Sequence, residues 1–250
     1  MLRKPSHFLF LLFFIPSSVC LASDIWRSLL QNHAECVTWV SASVRIEISA
    51  NGRSYPPSER NIEALGTILD SKGMTVLSLN QFDPTDSIYA KIRAPQADIQ
   101  VNYTEVKLLL QDGTEVPAEF ILKDDDLDLA YILPKSSKHP QNPDGFPHVS
   151  SKPQVTLPQV LDPVVSLSKL GPNLYRQSSL LRSWVNAIIE KPRNYYVIDN
   201  VRPGTPVFNE SGEWLGISLF KKDGGRPSGV ITLPATDVLE IAEQVRLRAE

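Results

Sequence analysis

The chain has 250 residues, with 25 Lys and Arg against 28 Asp and Glu, a formal net charge of −3. With no basic stripe along it, this balance argues against a nucleic-acid partner. Its two cysteines and four histidines are scattered without metal-ligand spacing, so neither a metal site nor a cofactor is expected.

The first segment has the pattern of a secretory signal peptide. Arg3 and Lys4 precede the apolar run Phe8 to Ile15, Pro16-Ser17-Ser18 break it, and Val19-Cys20-Leu21-Ala22 supplies small residues at a cleavage position. An uncleaved anchor is the alternative, but the run is short for a helix that must cross a bilayer. A lipid on Cys20 is disfavoured by the bulk of Val19. Residues 1–22 are therefore expected to be removed on export to the periplasm or the outside of the cell. No later stretch is apolar enough to span a membrane. Cys20 leaves with the signal, so Cys36 has no partner for an intrachain disulfide and stability must come from burial.

Asp24 to Asn32 predicts a short helix capped by Asp24, with Trp26, Leu29 and Leu30 on one face. Strands follow. Val37 to Ile48 is β-branched and partly alternating, and Asn51-Gly52 signals a turn. Gly66 to Leu69 and Met74 to Leu79 flank Asp70-Ser71-Lys72-Gly73 and predict a hairpin. Val106 to Leu110 and Val116 to Leu122, around Gln111-Asp112-Gly113, predict another. Leu129 to Leu133 is a further apolar strand.

Between Pro134 and Pro163 lie seven prolines: Pro134, Pro140, Pro143, Pro147, Pro153, Pro158 and Pro163. Each fixes φ and removes a backbone donor, so no helix or central strand is expected to run through this stretch. It reads as an extended connection on the surface between two halves. The second half has expected strands at 164–167, 181–190, 195–198, 207–208, 214–220 and 230–233, with turns at Gly171-Pro172-Asn173 and Asn209 to Gly212. Asp237 to Ala249 carries Val238, Ile241, Ala242 and Val245 at helical spacing. Short strands split by one connection predict an all-β protein: two antiparallel six-stranded barrels and a closing C-terminal helix. The expected divisions are 1–22 signal, 23–133 first barrel, 134–163 connection, and 164–250 second barrel with helix.

Four segments, spanning roughly Val37 to Val245, resemble the protease domain of the HtrA/DegP family of chymotrypsin-like serine proteases. Gly66 to Gly73 (GTILDSKG) resembles the hairpin before the family's catalytic histidine. Val106 to Ala118 (VKLLLQDGTEVPA) resembles its V-x-L-x-D-G hairpin. Asp125 to Leu133 (DDLDLAYIL) resembles its D-x-x-x-D-L-A-V-L segment. Gly204 to Ile217 (GTPVFNESGEWLGI) resembles its G-G-P-L-V-N-x-x-G-x-V-I-G-I segment without the serine before it. Ile231-Thr232-Leu233-Pro234 before the last helix adds to the likeness.

The resemblance implies a trypsin-like double barrel whose reaction needs a serine, a histidine, an aspartate and backbone N–H donors for the oxyanion. Matching Ser78 to the family's threonine puts Gln81 at the histidine position, and a one-residue slip puts Asn80 there. Neither titrates near neutral pH, so neither is a general base. The aspartate corresponds to Asp128, read as a retained structural carboxylate rather than one more turn acid of the run Asp124 to Asp128. The serine corresponds to Pro203, which lacks both a hydroxyl and an N–H, inside a degenerate oxyanion loop of Val201, Arg202 and Gly204.

The implied function is a pseudoprotease: a binding or scaffold module for an unidentified protein or extended peptide, held by strand addition beside the old cleft. The alternative is a hydrolase with Thr205 as nucleophile, which would need an adjacent base.

Overall fold

The protein is described by a computed structural model covering residues 18–50, 52–85, 88–89, 97–149, 157–223 and 226–249. Most of the expected signal, residues 1–17, lies outside these. A helix, α1, runs Ser18–His33 and passes by a short 3₁₀ turn, Ala34–Cys36, into the first strand. Because the helix begins before Asp24, that residue does not cap it. Asp24 instead accepts a hydrogen bond from Arg27 one turn on, at 2.8 Å. Trp26 and Leu29 are buried, as their shared face predicts.

The first half contributes β1 (Val37–Ala50), β2 (Arg53–Ser54), β3 (Ser58–Ile68), β4 (Thr75–Ser78), a helical turn α2 (Leu79–Phe82), β5 (Asp98–Leu109), β6 (Glu115–Asp124) and β7 (Leu129–Pro134). Antiparallel pairing in the order β1-β3-β4-β7-β6-β5 returns to β1, so six strands close a barrel, with β2 appended to β1. Alternation places the residues. Val40, Ala42, Val44 and Ile46 of β1 all point inward to a core shared with Leu77, Phe82, Leu108 and Ile132.

Two stretches are strand without having been expected: the polar start of β3 and residues 98–105 of β5. The second carries Ile99, Val101 and Tyr103 at alternate positions, a period-two signal of the half-buried kind. Leu79, expected at the end of a strand, instead opens α2.

The second half contributes β8 (Pro163–Lys169), a 3₁₀ turn (Pro172–Leu174), β9 (Ser178–Ile189), β10 (Tyr195–Ile198), β11 (Pro206–Asn209), β12 (Trp214–Asp223) and β13 (Arg226–Pro234). These close a second barrel in the order β10-β13-β12-β11-β8-β9. The last helix, α3 (Ala235–Ala249), buries Val238, Ala242 and Val245. It also reaches back to the first barrel. The Tyr131 hydroxyl donates to the Val238 carbonyl at 2.9 Å, and Arg246 meets Asp70 at 3.1 Å. Two closed six-stranded antiparallel barrels followed by a C-terminal helix are consistent with the double barrel of the chymotrypsin-like superfamily.

Between β7 and β8, the described residues form neither helix nor strand, in keeping with the prolines. Nor does this connection only skim the surface. Phe146 and Val149 are buried, and their amides donate to Ser71 and Ile68 carbonyls at 2.9 and 3.0 Å. A third set of apolar residues, including Trp26, Leu65, Tyr131, Phe208, Trp214 and Val238, forms a core between the barrels and under α3.

Candidate functional site

Three segments meet where the barrels face each other. The first is the corner from β4 into α2. The second is Asp128, held just before β7 in the left-handed region at φ 60°, which aspartate tolerates better than most residues. The third is the loop 201–205 ahead of β11.

Asp128 is fully buried. Its Oδ2 accepts the Ser78 hydroxyl at 2.5 Å and the Phe220 amide at 2.8 Å, and its Oδ1 accepts the Asn80 amide at 2.7 Å. Its own carbonyl accepts the Leu79 amide at 3.0 Å. One carboxylate thus ties β4 and α2 of the first barrel to β12 of the second. Burial pushes its pKa upward, and the three donors, with Lys222 nearby, pull against that. The rest of the acidic run does ordinary surface work: Asp124 accepts the Leu127 amide at 2.9 Å, and Asp125 lies 3.6 Å from Lys222.

The loop 201–205 is anchored to the same strand. The Gly204 amide donates to the Ser218 carbonyl at 2.7 Å, and the Ser218 amide donates to the Thr205 carbonyl at 3.0 Å. Ser218 and Phe220 are two residues apart on β12, about 7 Å of strand. Asp128 and the loop are therefore neighbours although 75 residues separate Asp128 from Pro203 in the chain. Gly204 also touches the first barrel. Its carbonyl accepts the Thr67 hydroxyl at 2.9 Å, its φ is +82°, and a Cβ there would stand 2.0 Å from the Leu65 carbonyl oxygen. Only glycine fits that approach.

These bonds determine what the loop can offer chemically. Pro203 is buried and has no N–H. The Gly204 N–H is taken by Ser218, and the Thr205 N–H donates to the Arg202 carbonyl at 3.2 Å. No amide of residues 203–205 is left over for an oxyanion. The Thr205 hydroxyl is fully buried, donates to the Arg202 carbonyl at 2.6 Å and lies 2.8 Å from the Ser166 hydroxyl. No titratable base among the described residues is bonded to it. Val201 is half-buried, and the exposed Arg202 donates to the Lys169 carbonyl at 3.1 Å.

Gln81 lies in α2, one residue beyond the Asn80 amide that binds Asp128. Among the described residues no hydrogen bond joins the Gln81 side chain to that carboxylate. The described histidines bond elsewhere. His33 sits against Phe208, His139 Nδ1 accepts the amides of Gln141 and Asn142, and His148 meets the Phe146 carbonyl. No Ser-His-Asp triad is assembled among the described residues.

Sequence reasoning did not reach the Phe220 amide, because a backbone donor leaves no mark in the sequence. It also did not reach Lys169, whose burial depends on segments far apart in the chain.

A groove opens on the side of the first barrel. β5 and β6 pair only at 107–109 with 115–117. Beyond that register they splay around a space of about 720 Å³ lined by Tyr103, Lys107, Phe120, Lys123 and Lys135 among others. Residues 98–104 of β5 pair with β1, and 118–124 of β6 with β7, so each presents its other edge to the groove. The Tyr103 hydroxyl is buried there without a hydrogen-bond partner among the described residues. The Lys123 ammonium stands 3.7 Å from the Tyr103 ring centre and 4.6 Å from that of Phe120.

Among the described residues no cluster of His, Cys, Asp and Glu could hold a metal ion, and no helix is long and apolar enough to cross a membrane. No protein-family profile matches the chain, and no curated protein matches it.

Proposed function

From a chymotrypsin-like double barrel in which Gln81 or Asn80 replaces the histidine and Pro203 the serine while Asp128 is retained, we propose an exported, HtrA-like pseudoprotease that binds an extended peptide or protein segment without cleaving it. The observation that carries this reading is the loop 203–205. Its proline has neither hydroxyl nor N–H, and both following amides are committed to internal acceptors. Asp128 is bonded to a serine hydroxyl and two main-chain amides, so it serves as a strut between the barrels.

The bound segment is best accommodated beside β5 and β6. Two strand edges face each other there across a groove with aromatic and basic walls, and main-chain hydrogen bonds from an added strand would supply affinity. The resemblance of the four segments supports the HtrA-like assignment, and the basic start, apolar run and small-residue site at 1–22 support export.

Four measurements test this. A serine-directed active-site probe and a broad peptide library should show neither labelling nor cleavage, and labelling or cleavage abolished by Thr205→Ala would overturn the reading. Peptides selected for binding should lose at least tenfold in affinity on Tyr103→Ser or Phe120→Ser, while Gln81→Ala leaves binding unchanged. N-terminal sequencing of the protein recovered from the extracytoplasmic fraction should begin at Ser23.

A further inference from the structure

An exposed apolar face lies on the second barrel, away from the groove between β5 and β6. The end of the connecting segment turns at residues 159–162. There the Gln159 amide donates to Asp162 Oδ2 at 2.7 Å, and the Asp162 amide donates to the Gln159 carbonyl at 3.1 Å. The turn is fastened beside β9: the Leu161 amide donates to the Val185 carbonyl at 2.8 Å, and the Val185 amide to the Asp162 carbonyl at 3.0 Å. Pro163, the next residue, stands opposite Trp184 in the β8–β9 pair. Val160, Leu161 and Trp184 are therefore neighbours. All are exposed, and so is Leu157, with each leucine 75% open to solvent. Leu161 holds its place at φ 77°, a left-handed backbone that costs a leucine energy. Single apolar residues on a surface need no explanation, but large ones gathered around one turn mark an interaction surface.

The charge beside this face defines what would cover it. A depression of about 250 Å³ opens next to the turn, where β8 starts and β11 turns into β12. Leu157, Pro163 and Leu215 supply its apolar wall, and Asp162, Glu210 and Glu213 its charge, with no lysine or arginine in the lining. None of these carboxylates has an ion pair among the described residues. Glu213 accepts the Asn209 side-chain amide at 2.7 Å through one oxygen, and Asp162 likewise uses one oxygen within the turn. Like charges around one depression repel, and a cation brought from outside relieves that repulsion. Arg182, two residues from Trp184 on β9, does not line the depression. Its guanidinium lies over the Trp26 and Trp184 rings, at 5.2 and 5.5 Å.

We propose that this face docks a basic, apolar segment of a partner protein, with a lysine or arginine side chain in the depression and flanking apolar residues on Leu161 and Trp184. The carboxylates oppose an anionic membrane surface and complement such a segment. The depression meets β11 at Asn209, the opposite end from the loop 201–205, so the assignment depends neither on the peptide groove nor on the loss of the triad.

The test uses the full chain and a labelled short peptide alternating leucine and arginine, followed by fluorescence anisotropy. Binding should be saturable and should weaken with added salt, because exposed charge pairs are screened. The same peptide with glutamate in place of arginine should not bind. Glu210→Gln combined with Glu213→Gln should weaken binding about tenfold and Leu161→Ser about fivefold, whereas Tyr103→Ser leaves it unchanged. Equal binding of the glutamate peptide, or unchanged binding in the double glutamine variant, overturns the proposal. So does self-association in sedimentation that Leu161→Ser disperses, which assigns the face to a second copy, or equal capture by phosphatidylglycerol vesicles. Should a variant lose its fold, the Trp184 indole N–H resonance of the unaltered protein decides. Movement with the arginine peptide and not with the glutamate peptide supports the site, and no movement overturns it.

Discussion

Asp128 and Lys169 are both charged residues buried near the meeting of the barrels, and their surroundings differ in kind. Asp128 receives three hydrogen bonds from two barrels. The Lys169 ammonium makes no hydrogen bond among the described residues; it lines a small polar cavity with Glu35 nearby. A buried charge that is fully satisfied holds its surroundings in one arrangement, whereas one without partners costs stability until something neutralises it. The first is part of how the two barrels are joined. The second keeps a largely buried side chain whose charged end reaches a small polar cavity instead of a protein acceptor.

Substitutions should separate the two. The largest effect is expected at the shared frame. Gly204→Ala places a Cβ against the Leu65 carbonyl and forces alanine to φ +82°, costing about 3–5 kcal/mol in urea unfolding by strain and overpacking. Next, Asp128→Ala strands the Ser78 hydroxyl and the Asn80 and Phe220 amides, at about 3 kcal/mol. Asp128→Asn, which tolerates the left-handed backbone, should cost less. Lys169→Met should be neutral or stabilising by about 1 kcal/mol, because an apolar side chain of similar length replaces a largely buried charge that has no hydrogen-bond partner among the described residues. A loss there as large as at Asp128 would erase the contrast. Tyr131→Phe, which removes the hydroxyl bonded to Val238, should cost about 1 kcal/mol by the same method.

The pH dependence sharpens the contrast with opposite slopes. Burial raises the Asp128 constant above its usual 3.8. Across the interval from 3.8 up to the raised value the folded state holds more protons, so stability from this group falls as pH rises. Burial lowers the Lys169 constant below 10.5. Across the interval from the lowered value up to 10.5 the unfolded state holds more protons, so stability rises with pH. Urea midpoints followed over both ranges should lose the acid slope in Asp128→Asn and the alkaline slope in Lys169→Met.

Much of the fold was legible because barrel strands write a local pattern. Alternation in Val37 to Ile48, the turns at Gly73 and Gly113, and the helical spacing of Val238, Ala242 and Val245 each follow from a few adjacent residues. The unexpected strands are those whose outward faces are polar: Ser58 to Leu65 shows little alternation, and Asp98 to Glu105 hides its period between charged ends. At the junction, residue types alone showed that Pro203 can offer no hydroxyl and no N–H. They did not show that the Gly204 and Thr205 amides are spent internally, because those acceptors belong to β12 and to the loop itself.

The sequence by itself determined most of the extended segments, where the chain must turn and that Pro203 offers neither a hydroxyl nor an N–H, since these depend on backbone geometry and chemical identity. Only the tertiary structure decided that Asp128 is bridged to Phe220, that the connecting segment inserts Phe146 and Val149 into the interior, and that the Lys169 side chain is largely buried beside a small polar cavity. Those outcomes depend on which distant strands close each barrel and how the two barrels pack, and burial and partnership exist only once that packing has excluded water.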